Sequence, residues 1–298
     1  MSQVPAQGWK ATGRDYVAAW RTIEAAEITA AVARLCGEAD IELPDDVLRA
    51  LERARQQEES PVGREVLARL IENAEIARAE RLPICQDCGL AVVFVDLGQE
   101  VHIRGGDLEE AVNAGVRQGY QEYYLRKSVC HPFTRANTGD NTPAVIHTRI
   151  VPGDRLHLWL VPKGGGSENM SRVFLLTPAV GREGVKQKVV ETVEAAGPNP
   201  CPPIILGVAV GGTFDQAAVR AKRCLLRELG SANPDPEAAA LETELLELVN
   251  RTGIGPAGLG GRITCLGVFA DIHPCHIASL PLAVNIQCHA ARHKEVVL

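Results

Sequence analysis

Cysteine is the residue type that most clearly points to chemistry in this sequence. The 298 residues include nine cysteines, an odd number that cannot all pair in disulfides, and Cys85 and Cys88 form a C-x-x-C pair. In a reducing compartment, such thiols are buried, bind metals or act as nucleophiles. The pair suggests zinc or thioredoxin-like redox chemistry, but a structural zinc site needs a second pair, and Asp87 opposes thiolate formation.

Three glycine-rich segments follow or join the predicted strands, and they could surround an anion. They are residues 163–167 (KGGGS), 211–213 (GGT) and the longer run 253–261. Glycine lets backbone N–H groups approach an anion with no side chain in the way. None of the three has a nucleotide-binding pattern, so a nucleotide site is disfavoured, and ordinary turn glycines remain the alternative.

Composition and charge exclude several classes of partner. The 31 Lys and Arg residues against 37 Asp and Glu give a net charge of −6, which provides no basic field for nucleic acid or an anionic membrane. No apolar run approaches the roughly 18 residues of a membrane span, and the N-terminus lacks the pattern of a signal peptide. We therefore expect a cytoplasmic protein with no nucleic-acid or membrane partner.

Helical patterns dominate the first 80 residues. Three segments place apolar residues at helical spacing: 22–36, 45–57 and 63–81. Pro44 and Pro61 separate them. The predicted organisation is a helical N-terminal region, residues 1–82, packed on a mixed α/β region, residues 83–298, as one continuous unit.

Strand and helix patterns alternate from residue 90 onward. Strands are predicted at 90–97, 144–151, 155–162, 204–210, 262–272 and 281–288. The second and third strands flank a Pro-Gly-Asp turn, which is typical of a β-hairpin. Asp107 and Glu110 form a capping box for a helix predicted to run to about Lys127. Further helices are predicted at 182–196, 215–229 and 236–251. The sequence therefore predicts an α+β fold.

Five sequence blocks together resemble one family. They are PICQDCG (83–89), ANTGDNTPA (136–144), PKGGGSENMS (162–171), PNPCPPIILGVAVGGTFDQA (198–217) and HPCHIASLPLAVNIQCHAARH (273–293). In order and spacing, the blocks resemble the N-terminal half of class I fumarases and the α subunit of L-tartrate dehydratase. The resemblance covers roughly residues 10–298 and implies an iron–sulfur-dependent hydro-lyase.

The resemblance implies that Cys85, Cys201 and Cys288 bind a [4Fe–4S] cluster and leave one iron open. Thiolates are soft ligands suited to such clusters. An open iron is a Lewis acid that would bind the hydroxyl and one carboxylate of a 2-hydroxy dicarboxylate, while a base removes the adjacent proton. The family usually has threonine where this chain has Cys88, a thiol that could compete for the open iron but is expected to be a neighbour of the ligands. The other cysteines are expected to be structural.

The resemblance also implies roles for five residues around the ligands. Gln86 and Asp87 match residues that contact the substrate, and Asp87 is expected to take part in proton transfer or to orient the iron-bound hydroxyl. Arg126 matches a carboxylate-binding arginine, a task that suits its guanidinium fork, and Gly165 would offer its backbone N–H. His276 stands twelve residues before the last ligand, as a family histidine near the substrate does, and is predicted to be catalytic. A turn cap for Asp87 and an exposed helix end for Arg126 are the structural alternatives.

The family's single-chain members continue into another domain, whereas this chain ends ten residues after Cys288. We therefore expect a separate β subunit of about 200 residues that completes the site at the interface, in a hetero-oligomer such as α2β2. The predicted function is the α subunit of a fumarate hydratase that interconverts (S)-malate and fumarate, a tricarboxylic acid cycle reaction. L-tartrate dehydratase, which yields oxaloacetate, is the alternative enzyme. A non-enzymatic iron–sulfur or zinc scaffold would make the substrate-site features incidental and is disfavoured.

Overall fold

The described part of the chain, residues 20–298 of a computed structural model, begins with a short strand and three helices. These elements are β1 (Arg21–Glu24), α1 (Ala25–Ile41), α2 (Asp45–Gln57) and α3 (Pro61–Glu80). The predicted helix at 22–36 is therefore partly wrong, because residues 21–24 pair with a later strand. Residues 1–19 of the predicted helical region lie outside the described residues.

The remaining elements alternate between strands and helices. They are β2 (Leu90–Gly98), β3 (Val101–Arg104), α4 (Leu108–Glu122), β4 (Val145–Val151), β5 (Leu156–Lys163), α5 (Gly165–Glu168), β6 (Arg172–Leu176), α6 (Gly181–Ala196), β7 (Ile204–Gly212), α7 (Phe214–Cys224), α8 (Pro236–Asn250), β8 (Cys265–Cys275), β9 (Leu280–Gln287) and β10 (Lys294–Val297). The α+β prediction is confirmed. Among residues 20–298, no helix is long and apolar enough to cross a membrane.

The first large sheet has the strand order β10-β5-β2-β4, so the predicted hairpin of β4 and β5 is wrong. Strand β2 lies between them, parallel to β4 and antiparallel to β5. Residues 91–96 of β2 are all buried, and a strand buried in this way needs neighbours on both edges to complete its backbone hydrogen bonds. The turn at 152–154 crosses the end of β2, where Gly98 N–H donates to the carbonyl of Arg155.

The second large sheet has the strand order β6-β9-β7-β8. Strand β7 is at its centre, parallel to β8 and antiparallel to β9. Helices α6 and α8 pack on one face of this sheet, and their buried apolar side chains form one core with those of β7, β8 and β9. A separate core joins α1 and α4 to the first sheet. Each sheet is therefore held by its own layer of helices.

Glu58 is a buried carboxylate that links two loops far apart in sequence. Its two oxygens accept hydrogen bonds from the backbone N–H groups of Glu59, Ser60, Arg262 and Ile263. Burial raises the pKa of Glu58, but these four donors outweigh that effect and leave the pKa below its usual value. The charged form is therefore the one that the fold stabilises.

Replacing Glu58 by glutamine should lower the free energy of unfolding at pH 7 by about 2 kcal/mol, because one amide group cannot accept from all four donors. A carboxyl group with a lowered pKa stabilises the fold above its unfolded pKa, and this contribution is lost as the pH falls through the folded pKa. The difference between the two proteins should therefore shrink in acid. Urea unfolding at pH 7 and at about pH 4 tests both points, and equal stability at pH 7 would contradict the prediction.

Candidate active site

The site lies where the ends of the two large sheets meet. Strand β2 begins just after Cys88, and β5 ends beside it because Lys163 pairs with Leu90. In the second sheet, β7 begins just after the segment of Cys201, and β9 ends just before Cys288. Because β7 and β9 are antiparallel, with Ile205 opposite Gln287, the start of β7 and the end of β9 lie side by side, and these two cysteines come to the same end of the sheet.

Direct hydrogen bonds join these segments. The buried ammonium of Lys163 donates to the carbonyl of Ile286 over 2.9 Å, which connects the end of β5 to the end of β9. It also donates to Ser167 Oγ over 2.7 Å, which fixes the glycine loop after β5. The Nδ1 atom of His289 lies 3.1 Å from the carbonyl of Cys201. The chain therefore holds four distant segments together at one place.

The three predicted ligand thiols are brought together at this end of the sheets. Cys201 is exposed, whereas Cys85 and Cys288 are half-buried. Burial raises the pKa of Cys201, and the nearby charge of Cys85 raises it further. Burial likewise raises the pKa of Cys288, where the charges of Arg292 and Lys163 oppose the effect of Cys85. The thiolates therefore repel one another, and a positively charged iron core would relieve this repulsion.

The donor set fits a cluster better than a single metal ion. Three soft sulfur donors on three separate loops are the ligands that an iron–sulfur cluster with one open iron requires. Between residues 20 and 298, no group of three or more His, Cys, Asp or Glu residues converges closely enough to hold one metal ion. The thiolates of a four-iron cluster bind different irons, so they need not converge on one point.

Asp87 and Gly165, both predicted to contact the substrate, are in direct contact. The Oδ2 atom of Asp87 accepts a hydrogen bond of 2.8 Å from Gly165 N–H, and its Oδ1 atom accepts one of 3.0 Å from Gly89 N–H. Gly165 N–H therefore already binds a carboxylate oxygen in this structure. An added Cβ at Gly164 would lie 3.0 Å from Asp87 Oδ2, so the close approach depends on glycine.

Gln86 and Arg126 lie on the exposed side of the same region. The thiol of Cys85 donates to Gln86 Oε1 over 3.3 Å. A backbone hydrogen bond holds Arg126 at the site: its N–H donates to the sulfur of Cys88 over 3.2 Å. Both side chains are exposed, so a ligand that approaches from solvent can reach them.

His276 is not brought to this place. It lies in the exposed turn between β8 and β9, where its Nδ1 atom accepts from Ala278 N–H. Strand β9, eight residues long, separates that turn from Cys288, a distance of roughly 26 Å along the strand. The catalytic role of His276 stays a prediction. For His276 to act, a second copy of this chain would have to place its own imidazole beside these cysteines.

Cys88 is buried and differs from the three predicted ligands in its contacts. Its sulfur accepts the N–H of Arg126 and lies 3.8 Å from the carbonyl of Cys85. Burial, together with the charge of Asp40, raises the pKa of Cys88 to about 11. At neutral pH, Cys88 is therefore a neutral thiol that supports the backbone of Arg126.

We expect Cys88→Thr to behave like the wild type, because a threonine hydroxyl can accept the same N–H. Cys88→Ala should raise KM about tenfold with little change in kcat, since losing the acceptor loosens the segment that carries Arg126. Steady-state kinetics and iron content of both variants test this role. Loss of the cluster in Cys88→Ala would instead make Cys88 a ligand, and identical kinetics in the two variants would rule out the hydrogen bond as its function.

Arg292 is a buried arginine beside these segments that was not predicted from the sequence. Its Nη2 atom donates to the carbonyl of Asp87 over 2.6 Å and lies 3.0 Å from a carboxylate oxygen of Asp40. The one available signal was its place in the last sequence block, four residues after Cys288. Its partner is 252 positions away in sequence, so no local pattern could connect the two.

The fold and the site define an α+β protein with a thiol-rich polar site between two sheets. The sequence model of fumarate hydratase (Fumerase) matches residues 29–297. The chain is 43% identical over 272 residues to the putative L(+)-tartrate dehydratase subunit alpha of Methanocaldococcus jannaschii, which covers 89% of this chain and 95% of that protein. It is 32% identical over 276 residues to the L(+)-tartrate dehydratase subunit alpha of Escherichia coli (strain K12), which covers 91% of each.

This chain therefore belongs to the fumarate hydratase (Fumerase) family. It is a hydro-lyase of the fumarase and tartrate dehydratase group, as the resemblance of the five sequence blocks predicted.

Proposed function

We propose that this chain is the α subunit of a two-subunit, [4Fe–4S]-dependent hydro-lyase that interconverts (S)-malate and fumarate in the cytoplasm. The observation that carries the proposal is the meeting of the segments of Cys85, Cys201 and Cys288 beside the carboxylate of Asp87 and the N–H of Gly165. The match to the fumarate hydratase family supports the same reaction type. This reaction would give the enzyme a place in the tricarboxylic acid cycle.

When bound by the three thiolates, the cluster would supply a Lewis-acidic iron with one open position. The side chains of this subunit have separate tasks in the proposal. Arg126 binds one substrate carboxylate through its guanidinium fork. The N–H of Gly165, which donates to Asp87 in this structure, exchanges that partner for the substrate when the substrate binds. Gln86 orients the substrate hydroxyl from its position next to Cys85.

Dehydration of malate breaks one C–H and one C–O bond, and the hydroxyl leaves as water. The leaving oxygen therefore needs a proton, and the adjacent carbon must lose one to a base. We assign to Asp87 the proton that goes to or from the hydroxyl, because its carboxylate lies beside both a predicted ligand and Gly165 N–H. The base for the carbon-bound proton is proposed to belong to the partner subunit.

A separate β subunit is proposed because the relatives are named as alpha subunits. Together the two subunits would form a hetero-oligomer, for which α2β2 is the simplest arrangement. Within this chain, we propose that residues 1–82 and 83–298 act as one unit. Contacts between α1 and both α4 and β5 support that view.

Anaerobic reconstitution with iron and sulfide, followed by spectroscopy and assay with the partner, tests the proposal. We expect about four irons per chain and malate dehydration, measured as the ultraviolet absorbance of fumarate. The α chain alone should bind the cluster but turn over poorly, and full activity without a partner would contradict the two-subunit proposal. Zinc in place of a cluster would support a metal-binding scaffold instead.

L(+)-tartrate dehydration is the second candidate function, and the names of the relatives favour it. Tartrate differs from malate by one hydroxyl group, so both substrates present the same two carboxylates to the site. Values of kcat/KM for (S)-malate and L(+)-tartrate, measured with both subunits present, separate the two. Our proposal requires the larger value for (S)-malate, and the reverse order would assign the chain to tartrate.

A further inference from the structure

Arg292 and Asp40 form an ion pair beneath the turn that carries Cys85. Asp40 is completely buried and Arg292 is 4% exposed, and Arg292 Nη2 lies 3.0 Å from Asp40 Oδ1. Burying two charges costs free energy that their attraction offsets only with good geometry and further hydrogen bonds. The attraction between the two side chains alone therefore does not explain why this pair is buried here.

Both members of the pair hold the segment of Cys85. Arg292 donates to the carbonyl of Asp87 over 2.6 Å. The backbone carbonyl of Asp40 accepts the N–H of Ile84 over 2.9 Å. The turn is thus bonded on one side to the end of α1 and on the other to the segment after β9.

The pair is not closed by aligned hydrogen bonds. Within the described residues, both carboxylate oxygens of Asp40 and the Nε atom of Arg292 have no hydrogen-bond partner, although the two groups are within ion-pair distance. Asp40 therefore satisfies only part of the hydrogen-bonding capacity of the guanidinium, which offers five N–H donors. The rest of the guanidinium remains available to other negative groups nearby.

Those negative groups are the cysteine thiolates. Arg292 donates to the carbonyl of Asp87, and the N–H of Asp87 donates to the sulfur of Cys85 over 3.4 Å, so the guanidinium lies beneath the turn that holds this thiol. Burial lowers the pKa of Arg292, but the charge of Asp40 and then those of Cys288 and Cys85 raise it above its usual value. The same attraction acts on Cys288, whose pKa is held down by Arg292 against the effect of burial. Arg292 is thus a buried cation that interacts electrostatically with two of the three proposed cluster ligands.

Lys163 is the other buried cation of this region, but its ammonium is held by the glycine loop and by the end of β9. Its ammonium lies 3.3 Å from Glu168 and donates to Ser167 and to the carbonyl of Ile286. Glu168 also binds Lys222 over 2.6 Å. Lys163 belongs to a network around the glycine loop, whereas Arg292 lies beneath the turn of Cys85.

We propose that Arg292 is the internal counterion of the cluster-binding thiolates, and that Asp40 limits how much of its charge they experience. The inference rests on the proposed [4Fe–4S] site. A cluster with three thiolate ligands carries net negative charge, and burying it without a compensating cation is unfavourable. Arg292 would stabilise the bound cluster, and it would stabilise the reduced, more negative form most.

Four variants of the full chain test this role by charge: Arg292→Gln, Arg292→Lys, Asp40→Asn and the double variant Asp40→Asn/Arg292→Gln. The measurements are iron and sulfide per chain after anaerobic reconstitution, and the midpoint potential of the cluster from a titration followed by electron paramagnetic resonance. Arg292→Gln should retain at least about threefold less cluster than the wild type, and its potential should shift to more negative values. The cluster content and the potential of Arg292→Lys should lie between those of the wild type and Arg292→Gln. Asp40→Asn should shift the potential to more positive values.

The double variant guards against a simple folding defect, because it leaves no unpaired buried charge. It should fold, and its potential should still lie below that of the wild type, because the guanidinium donates to the turn of Cys85, whereas the carboxylate of Asp40 has no hydrogen-bond partner among the described residues. Arg220→Gln is the matched control. Arg220 pairs with Asp271 on β8, toward the opposite end of the second sheet from Cys201 and Cys288, and its removal should leave cluster content and potential unchanged.

The outcomes separate the inference from the function on which it rests. If the wild-type chain binds no cluster, the proposed function fails. If it binds one, but Arg292→Gln and the double variant match its cluster content and midpoint potential, the counterion role is overturned. Equal negative shifts in Arg292→Lys and Arg292→Gln would also overturn it, because only one of these variants removes the charge.

Discussion

Cys201→Ser is expected to bind no stable [4Fe–4S] cluster and to lose hydro-lyase activity by about 1,000-fold or more. A serine hydroxyl is a hard donor that does not ionise near neutral pH, so it cannot replace a thiolate on iron. Cys201 is exposed, so the fold should tolerate the change. Iron and sulfide content, the visible spectrum and the assay with the partner subunit measure the effect.

Cys275→Ser provides the matched control. Cys275 is also exposed, but it is the last residue of β8 and lies at the opposite end of the sheet, where it pairs with Gly212. We expect wild-type cluster content and activity from this variant, and unchanged thermal unfolding of both apo proteins. A Cys201→Ser protein that keeps a full cluster would remove Cys201 from the ligand set and, with it, the main support for the proposed site.

Local sequence signals predicted where elements begin better than where they end. The capping residue Asp107 accepts Glu110 N–H over 2.9 Å, and α4 begins directly after it, as predicted. The predicted end near Lys127 is wrong, because α4 ends at Glu122 and Tyr124 adopts a positive φ of 55°. The N–H groups of Arg126 and Ser128 bond to tertiary partners, and such contacts leave no periodic signal in the helix itself.

Strand pairing could be predicted from sequence only in part. The long buried strands β2, β7, β8 and β9 have apolar patterns that identify them. Their neighbours were not predictable, because β2 separates two strands that are adjacent in sequence. The short strands β1, β3, β6 and β10 were missed, because four or five residues that are mostly exposed or half-buried carry almost no pattern.

Site residues that lie in recognisable sequence blocks were predicted, whereas contacts between residues distant in sequence were not. The cysteines and the turn around Asp87 stand in sequence blocks that the family resemblance identified, and the structure brings them together. The Asp40–Arg292 pair joins α1 to the C-terminal segment, and nothing in the neighbourhood of either residue predicts it. The prediction for His276 depended on its sequence distance from Cys288, but an intervening extended strand converts that short distance into a large separation.

Asp87→Asn is expected to bind the cluster at the wild-type level and to lower kcat/KM by about 1,000-fold, the range for a lost proton-transfer group. Asparagine has nearly the same shape, and its one carbonyl oxygen can keep a single hydrogen bond, either to Gly165 N–H or to Gly89 N–H. It cannot take up or release a proton. The chemical step should therefore suffer far more than the fold or the cluster.

Asp107→Asn separates this effect from a general consequence of removing a carboxylate. Asp107 caps α4, and asparagine is an equally good N-cap residue, so activity and stability should not change. Because the cluster is measured independently of turnover, the Asp87 result has a clear interpretation. Normal iron content with a large loss of kcat/KM supports proton transfer, whereas kcat/KM within about tenfold of the wild type would leave Asp87 as a structural cap of its turn and require the proton to come from the partner subunit.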